Sequence, residues 1–189
     1  NSETPVKLPA SFFCYRPYED SPPVNKLPAL DQGHLTFSSF NSYPKVNSYL
    51  FEMWAEILST LPSAKLLMQT KSLQDKETRE DFLAQMARLG VSEERLIITP
   101  FTPPPEYLRT YHQVDLALDS YPFNGGTTTC EALWMGVPVV TLVGTRQVSR
   151  LGLSILATLG LTDLIAYTPQ DYVNICLKLA NDLDYLQTL

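Results

Sequence analysis

The sequence predicts an α/β domain: a Rossmann-like parallel sheet with helices on both faces. Three observations lead there. Short segments of strand length, alternating as at Leu35–Phe40 or mostly apolar, recur along the chain, at Leu35–Phe40, Ala64–Met68, Leu96–Thr99, Val114–Asp119, Val137–Leu142 and Leu164–Ala166. Stretches with helical spacing of apolar residues separate most of them, and strands alternating with helices imply right-handed crossovers and parallel pairing. The run Val137–Leu142 is almost continuously apolar, as befits a strand covered by helices on both sides.

Composition agrees with such a domain. The 189 residues are 44% hydrophobic and 18% charged, which suits one globular unit with a sizeable core. A net charge of −6 argues against a broad nucleic-acid surface, so an anionic ligand would have to be held by local devices. Cys14, Cys130 and Cys176 are widely spaced, odd in number and form no CxxC pair, which points to a reducing cytoplasm and supports neither a disulfide framework nor a zinc site. His34 and His112 are too few for a histidine metal cluster. No apolar run reaches transmembrane length and the first residues carry no basic-plus-apolar signal, so a soluble protein is expected.

Residues 1–34 hold six of the fifteen prolines, enough to exclude a long regular helix. They read as a connecting arm with a short docked piece at Phe12-Phe13-Cys14-Tyr15, and residues 35–189 as the Rossmann-like lobe. After the first strand, Asn41–Asn47 is a loop. From Ser48, the spacing of Leu50, Phe51, Trp54, Ile57, Leu58 and Leu61 predicts a helix ending at Pro62, with Glu52 and Glu56 on its wet face. A second helix should turn Phe82, Leu83, Met86 and Leu89 inward and stop at Gly90. Pro103–Tyr111 reads as a helix opened by proline, Gln147–Leu159 as one closed by Gly160, and Tyr172 onward as a C-terminal helix.

The stretch Asp119–Leu142 organises the rest. It reads as strand end, glycine turn, hydroxyl-rich helix start, short helix and new strand. Gly125 and Gly126 would permit positive φ and close approach of a ligand. Thr127, Thr128 and Thr129 bring hydroxyls and free amides to the first helical turn, where the dipole favours an anion such as phosphate. The plainer alternative is that a threonine merely caps the helix. Glu131, about one turn further on, is placed to accept hydrogen bonds from ribose hydroxyls, or else is a solvated helix charge. Lys45, just beyond the first strand, can neutralise a diphosphate or be an ordinary surface lysine. Both loops fall at strand carboxyl ends, where ligands of such sheets sit. No GxGxxG follows the first strand, so a dinucleotide cofactor has little support. Asp182-Leu-Asp184 resembles the DxD metal signature, but on a helix positions two apart point to different sides.

With these residues in hand, the chain resembles the C-terminal catalytic lobe of the O-GlcNAc transferase and SPINDLY family of glycosyltransferases, from about Leu8 to the end. The resemblance rests on Phe37-Ser-Ser-Phe-Asn41 with Lys45, on Asp115–Asp119, on Asn124–Leu142 and on Ser149-Arg150. It implies a GT-B lobe and inverting transfer of a sugar from a nucleotide diphosphate to protein Ser or Thr, with no cofactor and no required metal. The donor would be UDP-GlcNAc first and GDP-fucose second. Carried over by position, Lys45 contacts the diphosphate, Thr127 and Thr128 bind its oxygens, and Glu131 takes the ribose place held by aspartate in the animal enzyme. Ser42 stands where that enzyme has a donor-contacting glutamine and Gly126 where it has a histidine. Pro104 and Tyr107 replace a lysine and a histidine of its nucleotide pocket, and base and sugar preference therefore stay open. The family places tetratricopeptide repeats and a first lobe before this region. No 34-residue repeat occurs here, so an excised lobe that is inactive alone is expected; the competing expectation is a non-catalytic nucleotide-binding or protein-interaction domain that keeps the fold. Neither nucleic acid nor membrane is expected as a partner. No general base is identified; His34 and His112 are the only weak candidates.

Overall fold

The computed structural model describes residues 11–189 together with Thr4, Val6 and Leu8. Six strands, β1 Thr36–Ser39, β2 Lys65–Met68, β3 Leu96–Ile98, β4 Leu116–Leu118, β5 Val139–Leu142 and β6 Ile165–Ala166, form one parallel sheet in the order β3-β2-β1-β4-β5-β6. The order reverses between β1 and β4, which pair Phe37 with Leu116 and Ser38 with Ala117. That reversal opens a crevice at the strand carboxyl ends.

Successive strand residues point to opposite faces, and each face has its own core. On one, Phe37, Leu66, Leu116, Leu118, Val140 and Leu142 pack against helices α2 (Ser48–Thr60), α3 (Lys76–Arg88), α6 (Leu151–Thr158) and α7 (Pro169–Ala180). On the other, Leu67, Ala117 and Val139 meet Tyr107, Leu108 and Tyr111 from the α4 (Glu106–Arg109) region and Ala132 and Met135 from the α5 (Thr127–Trp134) region. Before β1, a short helix α1 (Ala29–Gln32) follows the proline-rich stretch. Its Ala29 N–H donates to Asp115 Oδ1 at 2.8 Å while Thr36 N–H donates to Asp115 Oδ2 at 2.7 Å, so one buried carboxylate ties α1 and β1 to the start of β4.

Several expected helices are shorter or divided. Gln147–Leu159 opens as a 3-10 turn over Gln147–Ser149, where Ser149 Oγ accepts from Arg146 N–H and donates to Arg146 O, and α6 begins only at Leu151. Pro103–Tyr111 yields only the four-residue α4, followed by a 3-10 turn. The C-terminal helix starts at Pro169, capped by Thr168, and breaks at Asn181; α8 (Leu183–Thr188) follows. Asp182 caps α8, accepting from Tyr185 N–H at 2.9 Å, so the Asp-Leu-Asp triplet is helix-capping chemistry rather than two faces of one helix. Leu89 lies at the end of α3 and is exposed, not inward. No helix among the described residues is long and apolar enough to cross a membrane.

Phe37 is fully buried at the centre of the sheet. Phe37→Ala is expected to cost roughly 3–5 kcal/mol, read as a lower midpoint at unchanged slope in chemical denaturation; a loss within about 0.5 kcal/mol would contradict the assignment of this face as core.

Candidate functional site

The site is built from two loops at the β1/β4 crevice. After β1 the chain makes a 3-10 turn over Tyr43–Lys45 and enters α2 through Asn47, whose side chain accepts from Leu50 N–H. The same side chain donates to Tyr121 O at 2.7 Å, and Lys45 Nζ donates to Asn124 O at 3.1 Å. The loop after β1 is thus pinned at two points to the loop after β4. Lys45 Nζ also lies 4.2 Å from the centre of the Phe123 ring. Burial pulls the Lys45 pKa down and the Asp119 charge pulls it up. Neither ion pair among the described residues involves Lys45, which therefore has no carboxylate at salt-bridge distance there.

Asp119 closes β4 and sets the second loop. Its Oδ1 accepts from Gly125 N–H at 2.7 Å and Ser120 N–H at 2.9 Å, and its Oδ2 accepts from the Thr141 hydroxyl at 2.6 Å. Burial pushes its pKa up to about 6 against the pull of those bonds and of Lys45. Asn124 is buried beside it and donates to Ser120 O and Leu142 O.

Neither Gly125 nor Gly126 has positive φ, contrary to the expectation for this turn. Size is what matters. A Cβ on Gly125 would stand 2.5 Å from Thr129 Oγ1 and 3.0 Å from Asn41 Oδ1, and one on Gly126 would stand 2.9 Å from the Phe13 ring. Gly126 is also the N-cap of α5, which receives no side-chain cap, so the threonines are not capping residues. The helical ladder begins with Cys130 N–H donating to Gly126 O, which leaves the Thr127, Thr128 and Thr129 amides ahead of it. Thr127 is exposed and Thr128 half-buried, whereas Thr129 is buried with its hydroxyl under Gly125. Ser42 is exposed and makes no capping bond.

Glu131 is no solvated helix charge. It is buried and accepts from Tyr107 OH at 2.9 Å; Tyr107 OH and Tyr111 OH are 3.1 Å apart. Burial raises the Glu131 pKa, and the Tyr107 bond opposes the rise. Burial likewise raises both tyrosines well above their ordinary range, so they stay neutral hydrogen-bond donors. The two histidines are elsewhere. His34 precedes β1 and contacts Gln32 O, and His112 precedes β4 and contacts Pro23 O, so both lie at the amino end of the sheet, away from the crevice. Among the described residues no group of three or more His, Cys, Asp or Glu could hold a metal ion. The sequence assigns no role to Asp119, Asn47 or Phe123, although Asp119 ends one of the stretches that carry the resemblance; the one available signal is an acidic residue directly closing a buried strand.

The pattern that defines glycosyl transferase family 41 matches residues 25–189. The chain belongs to this family. Among relatives, it is 37% identical over 185 residues to the protein named "Probable UDP-N-acetylglucosamine--peptide N-acetylglucosaminyltransferase SPINDLY" of Petunia hybrida, covering 97% of this chain and 20% of that protein. It is 30% identical over 155 residues to the Caenorhabditis elegans UDP-N-acetylglucosamine--peptide N-acetylglucosaminyltransferase, 82% of this chain and 13% of that one. Among solved structures, a mutant Thermobaculum terrenum O-GlcNAc transferase superposes with a TM-score of 0.82 at 36% identity, over 90% of this chain and 32% of that chain. The HepE protein of Anabaena, crystallised with UDP-glucose, shares the fold at a TM-score of 0.61 and 19% identity, over 85% of this chain and 43% of that one. The family 41 sheet described above is accordingly a Rossmann-like lobe of the GT-B glycosyltransferase fold. The chain spans about a fifth of the length of its SPINDLY relatives.

Gly125→Ala should force the turn apart, because three polar atoms already occupy the space its methyl needs. A loss of about 1–3 kcal/mol in stability is expected, read by thermal unfolding; a variant as stable as the parent would show that the turn yields without cost.

Proposed function

We propose that this chain is the donor-binding lobe of an inverting protein O-glycosyltransferase, taking a nucleotide-diphosphate sugar whose sugar goes to protein Ser or Thr. The observation that carries this reading is the meeting of one half-buried cation, Lys45, with the uncapped start of α5 at the β1/β4 crevice. Lys45 Nζ already touches the carbonyl of Asn124, two residues before the N-cap, so an anion accepting from the helix amides lies within reach of the ammonium. The diphosphate would take the Lys45 ammonium and the amides and hydroxyls of Thr127 and Thr128, with Thr129 adding its amide from beneath. Gly126 contributes its small size at the helix start, where the Phe13 ring packs beside it, and Ser42 offers a further hydroxyl. Glu131, fixed by Tyr107, has a second carboxylate oxygen for a ribose hydroxyl. As the leaving diphosphate gains charge, these groups stabilise it without invoking a metal ion or cofactor.

The relatives' names favour UDP-GlcNAc as donor. GDP-fucose is the second choice, because Pro104 and Tyr107 leave the base subsite without the lysine and histidine of the animal enzyme. Calorimetric titration with both sugars decides between them. Lys45→Ala should lose a charge-assisted contact of roughly 1.5–3 kcal/mol and bind the preferred donor about ten- to a hundredfold more weakly; unchanged affinity would remove Lys45 from the site.

The 189 residues alone should bind donor and transfer nothing. Transfer needs the acceptor hydroxyl held in line with the anomeric carbon, and neither histidine lies at the crevice to act as base. A radiolabelled-donor assay with a peptide acceptor should give no product from this chain, and robust product would show that the catalytic groups are here after all.

A further inference from the structure

Donor binding as described leaves the buried carboxylate of Asp119 without a part in the chemistry. Asp119 is 1% exposed, and the groups that face it are few. Its own loop supplies the Ser120 and Gly125 amides, and β5 supplies the Thr141 hydroxyl. Gly152 of α6 leaves room for it, since a Cβ there would stand 2.8 Å from Oδ2. Tyr172 of α7 donates to the Asp119 backbone carbonyl at 3.1 Å. Among the described residues the one cation whose charge bears on it is Lys45.

We propose that Asp119 is a positioning residue that couples binding of the nucleotide-diphosphate sugar to proton uptake from solvent. The inference rests on the donor reading above. Before donor binds, the Lys45 ammonium offsets the carboxylate. A diphosphate seated on Lys45 and the α5 amides brings like charge into the same water-poor corner and takes over the attention of that ammonium, and both changes disfavour the ionised acid.

The hydrogen-bond geometry accepts either protonation state. A proton on Oδ2 would donate to Thr141 Oγ1, reversing that one bond, while Oδ1 keeps both backbone amides. The turn that presents the helix start therefore holds its shape while the local charge changes. Burial already raises the acid's proton affinity, to a pKa of about 6, so a modest further rise reaches neutral pH.

The test is calorimetric titration of the chain with UDP-GlcNAc and GDP-fucose at about pH 7 in two buffers of different ionisation heat. A diphosphate sugar, unlike a free nucleoside diphosphate, has no phosphate monoester titrating near pH 6. Binding should take up a fraction of a proton, and affinity should rise about three- to tenfold from about pH 8 to about pH 6, a one-unit displacement of the ionisation being worth tenfold. Asp119→Asn keeps an acceptor for both amides and donates to Thr141. It should bind with an affinity that does not change over this range and without proton uptake, while Asp119→Ala should lose the turn and the binding. Equal uptake in the Asn variant would place the proton on another group of the site, Glu131 or Lys45, and overturn the proposal. Binding without uptake in the parent chain would overturn it and leave the donor reading standing, whereas failure of both sugars to bind would sink the two together.

Discussion

The carboxylate of Asp119 is the constraint on which the rest of the site depends. It joins the end of β4 to β5 through Thr141 and to the start of the glycine turn through Gly125. Removing it would orphan three buried donors, each worth about 1–3 kcal/mol when left unpaired. The tight turn starts α5 at the carboxyl end of β4, beside the point where strand order reverses, and the first amides of that helix receive no side-chain cap. The small size of Gly125 follows from the same crowding, since Asn41, Thr129 and Asp119 converge where a side chain would be.

The second loop is fixed to the first rather than to the sheet alone. Asn47 caps α2 and reaches Tyr121, and Lys45 reaches Asn124, so a shift of either loop would break bonds in both. This matters in a chain with a net charge of −6. A general electrostatic field would repel a diphosphate, so under the proposed function attraction comes from one ammonium together with backbone amides, whose dipoles do not depend on net charge.

Most of the sheet was legible because its signal is local. Strand runs such as Val137–Leu142 and the two-sided alternation at Leu66, Leu67 and Met68 are written in consecutive residues. Helix divisions were less so. The break at Asn181 depends on a cap by Asp182 that an apolar period does not record, and the 3-10 opening of the α6 region depends on the Ser149 and Arg146 exchange. In the site, the positions of Lys45 and the threonines could be read from their places after strands. What could not be read was how they are supported: Tyr107 meets Glu131 across 24 positions and Thr141 meets Asp119 across 22, and only folding brings such pairs together. Positive φ, expected at Gly125 and Gly126, is absent for a related reason: it is a common use of glycine, while the crowding that requires a missing Cβ is visible only when the neighbours are in place.

Under the proposed function a diphosphate sits on the start of α5 beside Lys45. Backbone amide chemical shifts followed by NMR during titration with the preferred nucleotide-diphosphate sugar test it most directly. The largest changes should fall on the amides of Gly126, Thr127, Thr128 and Thr129, with smaller ones along the 43–47 loop. Changes confined to the apolar hollow lined by Phe13, Leu133, Trp134 and Leu159, with the Gly126–Thr129 amides undisturbed, would contradict it.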